Sequence, residues 1–457
     1  MSTNSKASER INSLLDENSF VEIGGQVTAR ATDFNLEPKN TPADGVVTGY
    51  GLIDDKLVYV YSQDAAVLGG SVGEMHAKKI CALYDFALKV GAPVIGLIDC
   101  AGLRLQEGTD ALFAFGEIYR KQALASGVIP QISVLFGNCG GGLALIPTLT
   151  DFTFMTEDAK LFVNSPNTLD GNYESKNDTA SAKFQSEECG TVDFVAEEAD
   201  LYDKVRSLVT MLPDNNEAND TFVECEDDLN RVCVQSDDAV AMLKEIADNK
   251  CYVEVQENYA KDITCGLMKL NGVTVGAVAN RTDVLSPYGC VKAADFVNFC
   301  DAFEIPILSL TSVKGFETTV DAEKKMAKAA AKLAYAFAGA TVPKVNVITG
   351  QAFGNAVNVM NSKSLGADMT FAWEDASVGM MDAKLAAKVM YESEGEAVQR
   401  EKAAEYDELQ NSILSAARRG YVDTVISAVD TRKYVIGAFE MLFTKREEIP
   451  AKKHGTV

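Results

Sequence analysis

Apolar β-rich runs alternate with longer helical stretches along most of the chain. The run VIPQISVLFG at 128–137 is almost continuously hydrophobic and is followed by glycines, which is typical of a buried strand that ends in a turn. The stretch HAKKICALYDFALKVG at 76–91 spaces its apolar residues three and four positions apart, which indicates a helix. This alternation predicts layered α/β domains.

The same pattern occurs twice. Three segments of the first half return in the second half: GAPVIGLID at 91–99 as EIPILSLTS at 304–312, VIPQISVLFGNCGGG at 128–142 as TVPKVNVITGQAFGN at 341–355, and DFTFMTEDAKLFV at 151–163 as DMTFAWEDASVGM at 368–380. The first two pairs share an offset of 213 residues, as from Pro93 to Pro306, and the third has an offset of 217. Matches in one order at nearly one offset predict a duplication.

The polar segment PDNNEANDTFVECEDD at 213–228 separates the two halves. Its asparagine and aspartate residues are typical of a loop between folded regions. The predicted organisation is therefore an N-terminal domain over residues 1–212, a linker over 213–231 and a C-terminal domain over 232–457.

Three consecutive glycines interrupt the apolar run at Gly140, Gly141 and Gly142. One explanation is a tight strand-to-helix turn, because glycine adopts backbone conformations that other residues avoid. The other is chemical: N–H groups at a helix start are free, and two of them aimed at one point form an oxyanion hole. In the repeat, Gly141 and Gly142 align with Gly354 and Asn355. Equivalent turns could therefore present two oxyanion holes, one in each half.

The composition narrows the classes of function. The chain has 457 residues, 47% of them hydrophobic, which is enough for a large core. Its net charge of -24 argues against binding nucleic acid or an anionic membrane through a broad basic face. Ten cysteines without a CxxC pair and only two histidines, His76 and His454, speak against a metal site or a histidine-based triad. The polar N-terminus and the lack of a long apolar run favour a cytoplasmic protein.

Recognisable motifs run through both halves. They are DGVVTGYGLID, VYSQDAAVLGGSVGEMHAKKI, APVIGLIDCAGLRLQEG, ASGVIPQIS and PTLTDFTFM in the first half, and FVNFCDAFEIPIL, AKLAYAFAGATVPKVNVIT, NSKSLGAD, ARRGYVDTVI and PAKKHG in the second. In this order they resemble the biotin-dependent acyl-CoA carboxyltransferases, which include propionyl-CoA carboxylase β subunits and methylmalonyl-CoA decarboxylase α subunits. The resemblance covers nearly the whole chain. It implies an α/β fold of two duplicated crotonase-like domains of the ββα-spiral type.

The resemblance also implies an activity. A carboxyl group would move between an acyl-CoA, similar to methylmalonyl-CoA or propionyl-CoA, and biotin on a separate carrier protein. The implied assembly is a homo-oligomer, either a dimer or a trimer of dimers. Acyl-CoA would lie against the N-terminal half of one protomer, and biotin against the C-terminal half of another. A biotin carboxylase subunit or a membrane sodium-pump subunit would be a further partner.

By the same resemblance, backbone N–H groups carry the catalysis. Those of Gly141 and Gly142 would serve the thioester oxygen, and those of Asn355 and Ala356 would serve the biotin oxygen. The residues expected to contact acyl-CoA are Gly69, Gly70, Gly102, Leu103, Arg104, Gln106 and Asn358. The residues expected on the biotin side are Gly315, Phe316 and Gly354.

Several of these residues also have a plainer interpretation. Arg104, Gln106 and Glu107 could form a solvated loop with a surface ion pair. The glycines at 69–73 could simply make a turn. The features expected to be structural are His76, Cys139, Trp373 and the solvated lysine face of an amphipathic helix at 322–332.

The second half departs from the family pattern where biotin is expected. The departures are VKGF at 313–316, FGNAVN at 353–358 and MMDAKLAA at 380–387, each of which lacks proline or glycine residues of the family motif. Two alternatives therefore stay open. One is a non-catalytic, CoA-binding assembly subunit. The other is a biotin-independent crotonase-like acyl-CoA enzyme, for which Glu107 is the only obvious candidate base.

Overall fold

Each half of the chain carries its own set of strands and helices. The computed structural model describes residues 5–32, 34, 41–218, 221–447 and 449. The chain divides into two units, Met1–Thr221 and Phe222–Val457. The PAKKHG motif and His454 lie outside the described residues. Among the helices of the described part, none is long and apolar enough to cross a membrane.

The first unit is built on a seven-stranded sheet within the described residues. Two further strands, β6 and β8, form a separate pair. The strands of the unit are β1 (Val21–Ile23), β2 (Val46–Ile53), β3 (Lys56–Gln63), β4 (Val94–Ile98), β5 (Gln131–Leu135), β6 (Asn138–Gly140), β7 (Phe152–Thr156), β8 (Lys160–Phe162) and β9 (Phe194–Ala196). Its α-helices are α1 (Lys6–Leu14), α2 (Glu74–Val90), α3 (Thr109–Ala125), α4 (Leu145–Thr148), α5 (Ala182–Phe184) and α6 (Glu198–Met211). The order β1-β2-β3-β4-β5-β7-β9 is antiparallel up to β3 and parallel from there on.

The second unit repeats this plan. Its strands are β10 (Tyr252–Val255), β11 (Ile263–Leu270), β12 (Val273–Asn280), β13 (Val284–Leu285), β14 (Ile307–Thr311), β15 (Gly315–Phe316), β16 (Lys344–Ile348), β17 (Gln351–Phe353), β18 (Met369–Trp373), β19 (Ser377–Gly379) and β20 (Thr424–Ile426). Its α-helices are α7 (Ala239–Ile246), α8 (Pro287–Ala302), α9 (Val320–Gly339), α10 (Gly354–Val359), α11 (Ala383–Met390), α12 (Glu396–Tyr406), α13 (Ile413–Arg418) and α14 (Thr431–Met441). The main sheet has the order β10-β11-β12-β14-β16-β18-β20, with the same change from antiparallel to parallel pairing after the third strand.

The predicted α/β duplication is therefore confirmed. Every residue of β4, β5, β14 and β16 is buried, which explains why these strands read as continuous apolar runs. The helix predicted at 76–91 is also present, as α2 (Glu74–Val90), which directly precedes β4. Trp373 lies in β18 with its indole N–H donating to the hydroxyl of Thr431, and Cys139 is fully buried. Both are core residues, as expected.

Local signals fix the ends of the helices. Helix α8 begins with Pro287 after Ser286, whose hydroxyl accepts the N–H of Gly289. Helix α9 includes the amphipathic stretch predicted at 322–332. On its exposed face, Lys324 and Lys332 pair with nearby aspartates, which confirms the solvated lysine face.

Residues predicted as the linker pack against the units rather than extending freely. The side chain of Asn215 donates to the carbonyl of Gly91 in the first unit. The guanidinium of Arg231 donates to the backbone carbonyls of Glu245 and Ala247 in the second unit. The boundary between the units follows Thr221, within the stretch predicted as the linker. The domain limits at 212 and 231 stay a prediction.

Candidate active site

Two equivalent turns follow the short strands β6 and β17. Strand β6 pairs in parallel with β8, and β17 pairs in parallel with β19, away from the main sheets. The next residue is Gly141 in the first unit, with φ of 66°, and Gly354 in the second, with φ of 68°. Each glycine starts a short helix, a 3-10 turn over Gly141–Ala144 and helix α10. The sequence alignment of the two turns is thus confirmed in the structure.

Backbone conformation explains the glycines at these positions. A methyl group at Gly141 would meet no atom within 4 Å, and one at Gly354 would lie 3.5 Å from the carbonyl oxygen of Met380. Space is therefore available, but the positive φ disfavours any residue with a Cβ. The turn lets the chain reverse sharply from strand to helix. The first N–H groups of each helix have no intrahelical acceptor, and no side chain caps either start.

The glycines predicted to contact acyl-CoA lie beside the first turn. The N–H of Ala101 donates to the carbonyl of Gly69 at 2.9 Å, and the N–H of Val72 donates to that of Gly102 at 2.9 Å. A methyl group at Gly102 would lie 3.9 Å from the carbonyl oxygen of Gly140, in the strand that leads into the turn. The structure therefore brings the two glycine loops and the first turn together.

The remaining predicted residues of this loop have different surroundings. Leu103 is half-buried and forms an isolated β-bridge with Val72. Position 70 has no room for a side chain, because a methyl group on Gly70 would lie 2.4 Å from the carbonyl oxygen of Asp99. Gln106 is exposed, and its carbonyl accepts a hydrogen bond from Thr32.

Arg104 is the centre of a buried ionic cluster. Its side chain is 1% exposed, and its guanidinium lies 2.7 Å from Asp44 Oδ1 and 2.8 Å from Glu107 Oε1. It also donates to the carbonyl of Ser71 at 2.7 Å. The interpretation of Arg104 and Glu107 as a solvated surface pair is therefore wrong, because the loop folds its charged side chains inward. Arg104 ties the loop of Ser71 to its own loop.

Glu107 is fully engaged within this cluster. Its second carboxylate oxygen accepts the N–H of Glu74 at 2.6 Å and so caps the start of α2. A methyl group at Gly73 would lie 2.4 Å from Glu107 Oε1, so the adjacent backbone must be glycine. The biotin-independent alternative needs Glu107 as a base, and here both of its oxygens already hold other groups.

His76 is a neutral structural residue. Its Nδ1 lies 3.0 Å from the carbonyl oxygen of Asp44, which can only accept, so Nδ1 carries the hydrogen. Its Nε2 then accepts from the side-chain amide of Gln63 at 3.2 Å. Burial lowers the pKa of His76 to about 3. The ring is thus no acid or base near neutral pH.

The second unit places its predicted biotin-side residues together. Gly315 and Phe316 form β15, which pairs in parallel with β13. The N–H of Phe353, just before Gly354, donates to the carbonyl of Val313 at 2.9 Å. Asn358, expected to contact acyl-CoA, lies in this unit as well, with its side-chain amide 3.4 Å from Asn355 Oδ1. Its contact with acyl-CoA stays a prediction.

Two sets of long-range hydrogen bonds escaped the sequence analysis. The hydroxyl of Tyr119, on α3, donates to the carbonyl of Gly142 in the first turn. Lys79 on α2 and Lys292 on α8 are 213 residues apart. The ammonium group of Lys79 donates to the carbonyl of Ala43, before β2, and that of Lys292 donates to the carbonyl of Gln256, before β11. The duplication offset could have shown that these two lysines are equivalent. Tyr119 had no such signal, because its partner is distant in sequence.

The chemistry available to the two turns is stabilisation of negative charge on oxygen. Pre-positioned backbone N–H donors stabilise a developing oxyanion by about 3–4 kcal/mol per good donor. They do not titrate, so they need no histidine or carboxylate. Burial raises the pKa of the Cys139 thiol well above its usual range, so it is no thiolate nucleophile beside the first turn. A duplicated crotonase-like protein with one strand-to-helix glycine turn in each unit is the class that the fold and site define.

Comparison with known proteins gives the family. The sequence model described as the carboxyl transferase domain matches residues 3–457. The chain therefore belongs to the carboxyl transferase family.

Curated relatives match over nearly their full length. The propionyl-CoA carboxylase beta chain of Roseobacter denitrificans is 41% identical over 478 residues, covering 99% of this chain and 93% of the relative. Methylmalonyl-CoA decarboxylase subunit alpha of Propionigenium modestum is 38% identical over 480 residues, covering 99% and 92%.

Solved structures agree with the fold. Transcarboxylase 12S, a hexamer with hydrolysed methylmalonyl-coenzyme A bound, superposes with a TM-score of 0.94 at 36% identity, covering 98% of this chain and 92% of that one. A single-chain long-chain acyl-CoA carboxylase gives 0.81 at 25% identity and covers 94% of this chain and 45% of that one. The predicted crotonase-like duplication is confirmed by these likenesses.

Proposed function

We propose that this chain is the carboxyltransferase subunit of a biotin-dependent complex that moves a carboxyl group between methylmalonyl-CoA or a similar acyl-CoA and biotin on a separate carrier protein. The observation that carries the proposal is the pair of equivalent turns at Gly141 and Gly354 in a member of this family. Two carbonyl oxygens gain charge in such a transfer, one on the thioester and one on the biotin ureido group. Two sets of neutral N–H donors match that demand.

The first turn serves the thioester. When the carboxyl group leaves the α-carbon, the electron pair of the broken C–C bond passes into the thioester carbonyl and forms an enolate. The N–H groups of Gly141 and Gly142 would hold that enolate oxygen. The paired loops of Gly69 and Gly102 lie beside the turn and provide the surface for the acyl-CoA.

The second turn suits a ureido oxygen. The N–H groups of Asn355 and Ala356 lie in the first turn of α10, where intrahelical acceptors are lacking. A ureido oxygen that gains negative charge during the transfer is matched by backbone donors that do not titrate, and the exposed carboxamide of Asn355 adds polar surface at the rim. Biotin supplies the nitrogen that carries the carboxyl group. The residues that would hold it are Gly315, Phe316, Gly354, Asn355 and Ala356.

The proposed activity determines the partners and the location. A biotin-carrying protein is required, together with either a biotin carboxylase subunit or a membrane sodium-pump subunit. Two copies of this chain would share each site, with the first unit of one protomer facing the second unit of another. The protein would work in the cytoplasm, in the second case at the face of a membrane complex.

The test is carbon dioxide release by the purified full-length chain. Malonyl-CoA, methylmalonyl-CoA and glutaconyl-CoA are each supplied with and without free biotin. The proposal predicts turnover of methylmalonyl-CoA that depends on biotin. Binding of CoA esters without turnover would instead identify an assembly subunit, and turnover without biotin would identify a biotin-independent enzyme.

A further inference from the structure

We infer that Tyr119 is a positioning residue for the first oxyanion turn. Its hydroxyl donates a hydrogen bond to the carbonyl of Gly142, in the peptide that directly follows the two proposed N–H donors, and thereby restrains the backbone that orients them. This inference rests on the proposed function, and no chemistry of Tyr119 itself is required.

The geometry places the hydroxyl directly at the turn. Tyr119 lies on α3, and its ring centroid is 5.9 Å from that of the buried Phe115 on the same helix. A methyl group at Gly142 would lie 3.0 Å from the Tyr119 oxygen and would meet no other atom within 4 Å. The hydroxyl therefore lies close against the face of Gly142 that a side chain would occupy.

The bond acts at the glycine-rich start of a helical segment. The 3-10 turn over Gly141–Ala144 begins with a glycine at positive φ, has no side-chain cap among the described residues and continues directly into α4. The carbonyl of Gly142 accepts the N–H of Leu145 within this segment, and the Tyr119 hydroxyl adds a second bond to the same oxygen. Because glycine has the widest backbone freedom of any residue, this additional bond from a helix of 17 residues restricts rotation at Gly142 and the direction of its N–H.

The second unit is built differently at this point. Lys332 occupies the position of Tyr119 in the repeat, and its ammonium group pairs with Asp295 at 2.6 Å. The second turn has Asn355 in place of the second glycine and lies within the six-residue helix α10. The tyrosine contact thus accompanies the glycine-rich turn of the first unit, where it is needed.

The first test compares Tyr119→Phe with the unchanged chain. Loss of one oxygen leaves the ring and its packing in place. We expect kcat for methylmalonyl-CoA decarboxylation to fall about 10- to 30-fold while KM changes less than about twofold, because donor alignment matters most in the transition state. Tyr173→Phe, at an exposed position of the same unit, is the matched control and should retain full activity.

The second test is a double-mutant cycle. In Gly142→Ala, the new methyl group would lie 3.0 Å from the Tyr119 oxygen, so the hydroxyl must move away and its bond to the turn weakens; kcat should therefore fall toward that of Tyr119→Phe. In Tyr119→Phe/Gly142→Ala there is no hydroxyl to displace, and kcat should be no lower than in the worse single variant. Multiplying losses would show that the two groups act independently and would overturn the inference.

A readout without turnover separates this inference from the proposed function. The readout is hydrogen exchange of the Leu145 amide, which donates to the same Gly142 carbonyl that Tyr119 holds. Its exchange should be at least about tenfold faster in Tyr119→Phe than in the unchanged chain, with amides of α2 unaffected. If the unchanged chain lacks biotin-dependent activity, the proposed function fails, and exchange still decides the role of Tyr119. Unchanged exchange at Leu145 would refute that role.

Discussion

At the scale of single residues, the candidate site depends on backbone groups rather than on reactive side chains. Gly141 and Gly354 share a positive φ, and each starts a helical segment. The proposed donors are N–H groups in the first turns of these two segments. The side chains that resemble catalytic groups are committed elsewhere: His76 is neutral and buried, and Glu107 caps α2. Substitutions that remove an N–H should therefore matter more than those that change a side chain.

Asn355 allows this to be tested at an exposed position. Asn355→Pro removes the N–H in the first turn of α10, where proline is tolerated, while Asn355→Ala keeps it. Asn355→Pro should lower kcat about 100- to 1000-fold, and Asn355→Ala less than about fivefold. Both variants should melt close to the unchanged chain. Equal activity of the two variants would exclude the backbone donor from the reaction.

Asp151 gives the first unit a distinct pH dependence. It lies between β5 and β7 and accepts the N–H of Gln131 at 2.7 Å. Burial raises the pKa of Asp151 to about 7, and nearby Asp193 adds to the increase. The folded chain therefore binds a proton that the unfolded chain has lost, and this contribution to stability disappears as pH rises from about 4 to about 7.

Asp151→Asn should remove that dependence. Relative to the unchanged chain, the variant should gain melting temperature as pH rises from 5 to 8, by about 3 °C or more. Thermal unfolding at both pH values measures it. The equivalent Asp368 pairs with Lys445 in the second unit, so Asp368→Asn should not show the same gain and serves as the comparison. If the melting temperatures of Asp151→Asn and the unchanged chain change by the same amount between pH 5 and pH 8, the raised pKa of Asp151 is refuted.

At the scale of elements, the buried cluster of Arg104, Asp44 and Glu107 holds together the loops that we propose contact acyl-CoA. It joins the segment before β2, the start of α2 and the loop after β4. The cluster has more negative than positive groups, and burial raises the pKa of Asp44 although Arg104 opposes the shift. The loops are thus fixed by a charge balance that depends on one arginine.

Arg104→Met should therefore be strongly destabilising. It leaves two carboxylates buried without their cation, which costs about 3–5 kcal/mol in the free energy of unfolding. Lys324→Met, which breaks an exposed pair with Asp321, should cost less than about 1 kcal/mol. Urea unfolding compares them. Adding Glu107→Gln to Arg104→Met should restore part of the loss, and no restoration would contradict the charge explanation.

The elements were largely predictable from sequence, but the contacts between them were not. Strands such as β4 and β14 are buried on both faces, so their apolar runs and the 213-residue offset located them correctly. Arg104 looked like a surface residue because its partner Asp44 lies 60 residues earlier in the chain. Tyr119 gave no local signal for the same reason. Long-range polar contacts follow from the packing of the layers, which a single sequence does not encode in any local pattern.

At the scale of the whole molecule, the duplication provides two similar turns for two different groups. Gly141–Gly142 and Gly354–Asn355 lie at the same place in their units, yet only the first turn is braced by a tyrosine. The proposed reaction uses one turn from each of two protomers. Each chain would then contribute half of each of two sites, and an oligomer would be required for activity.

This central claim can be tested by mixing two inactive chains. Gly142→Pro disables the first turn and Asn355→Pro the second, since each removes an N–H. Each variant alone should be nearly inactive. Co-expressed in equal amounts, they should recover about one quarter of the biotin-dependent methylmalonyl-CoA decarboxylation of the unchanged chain. About half of the sites receive an intact first turn, and about half of those also receive an intact second turn from the neighbouring protomer. Activity of the mixture no greater than that of either variant alone would contradict the account.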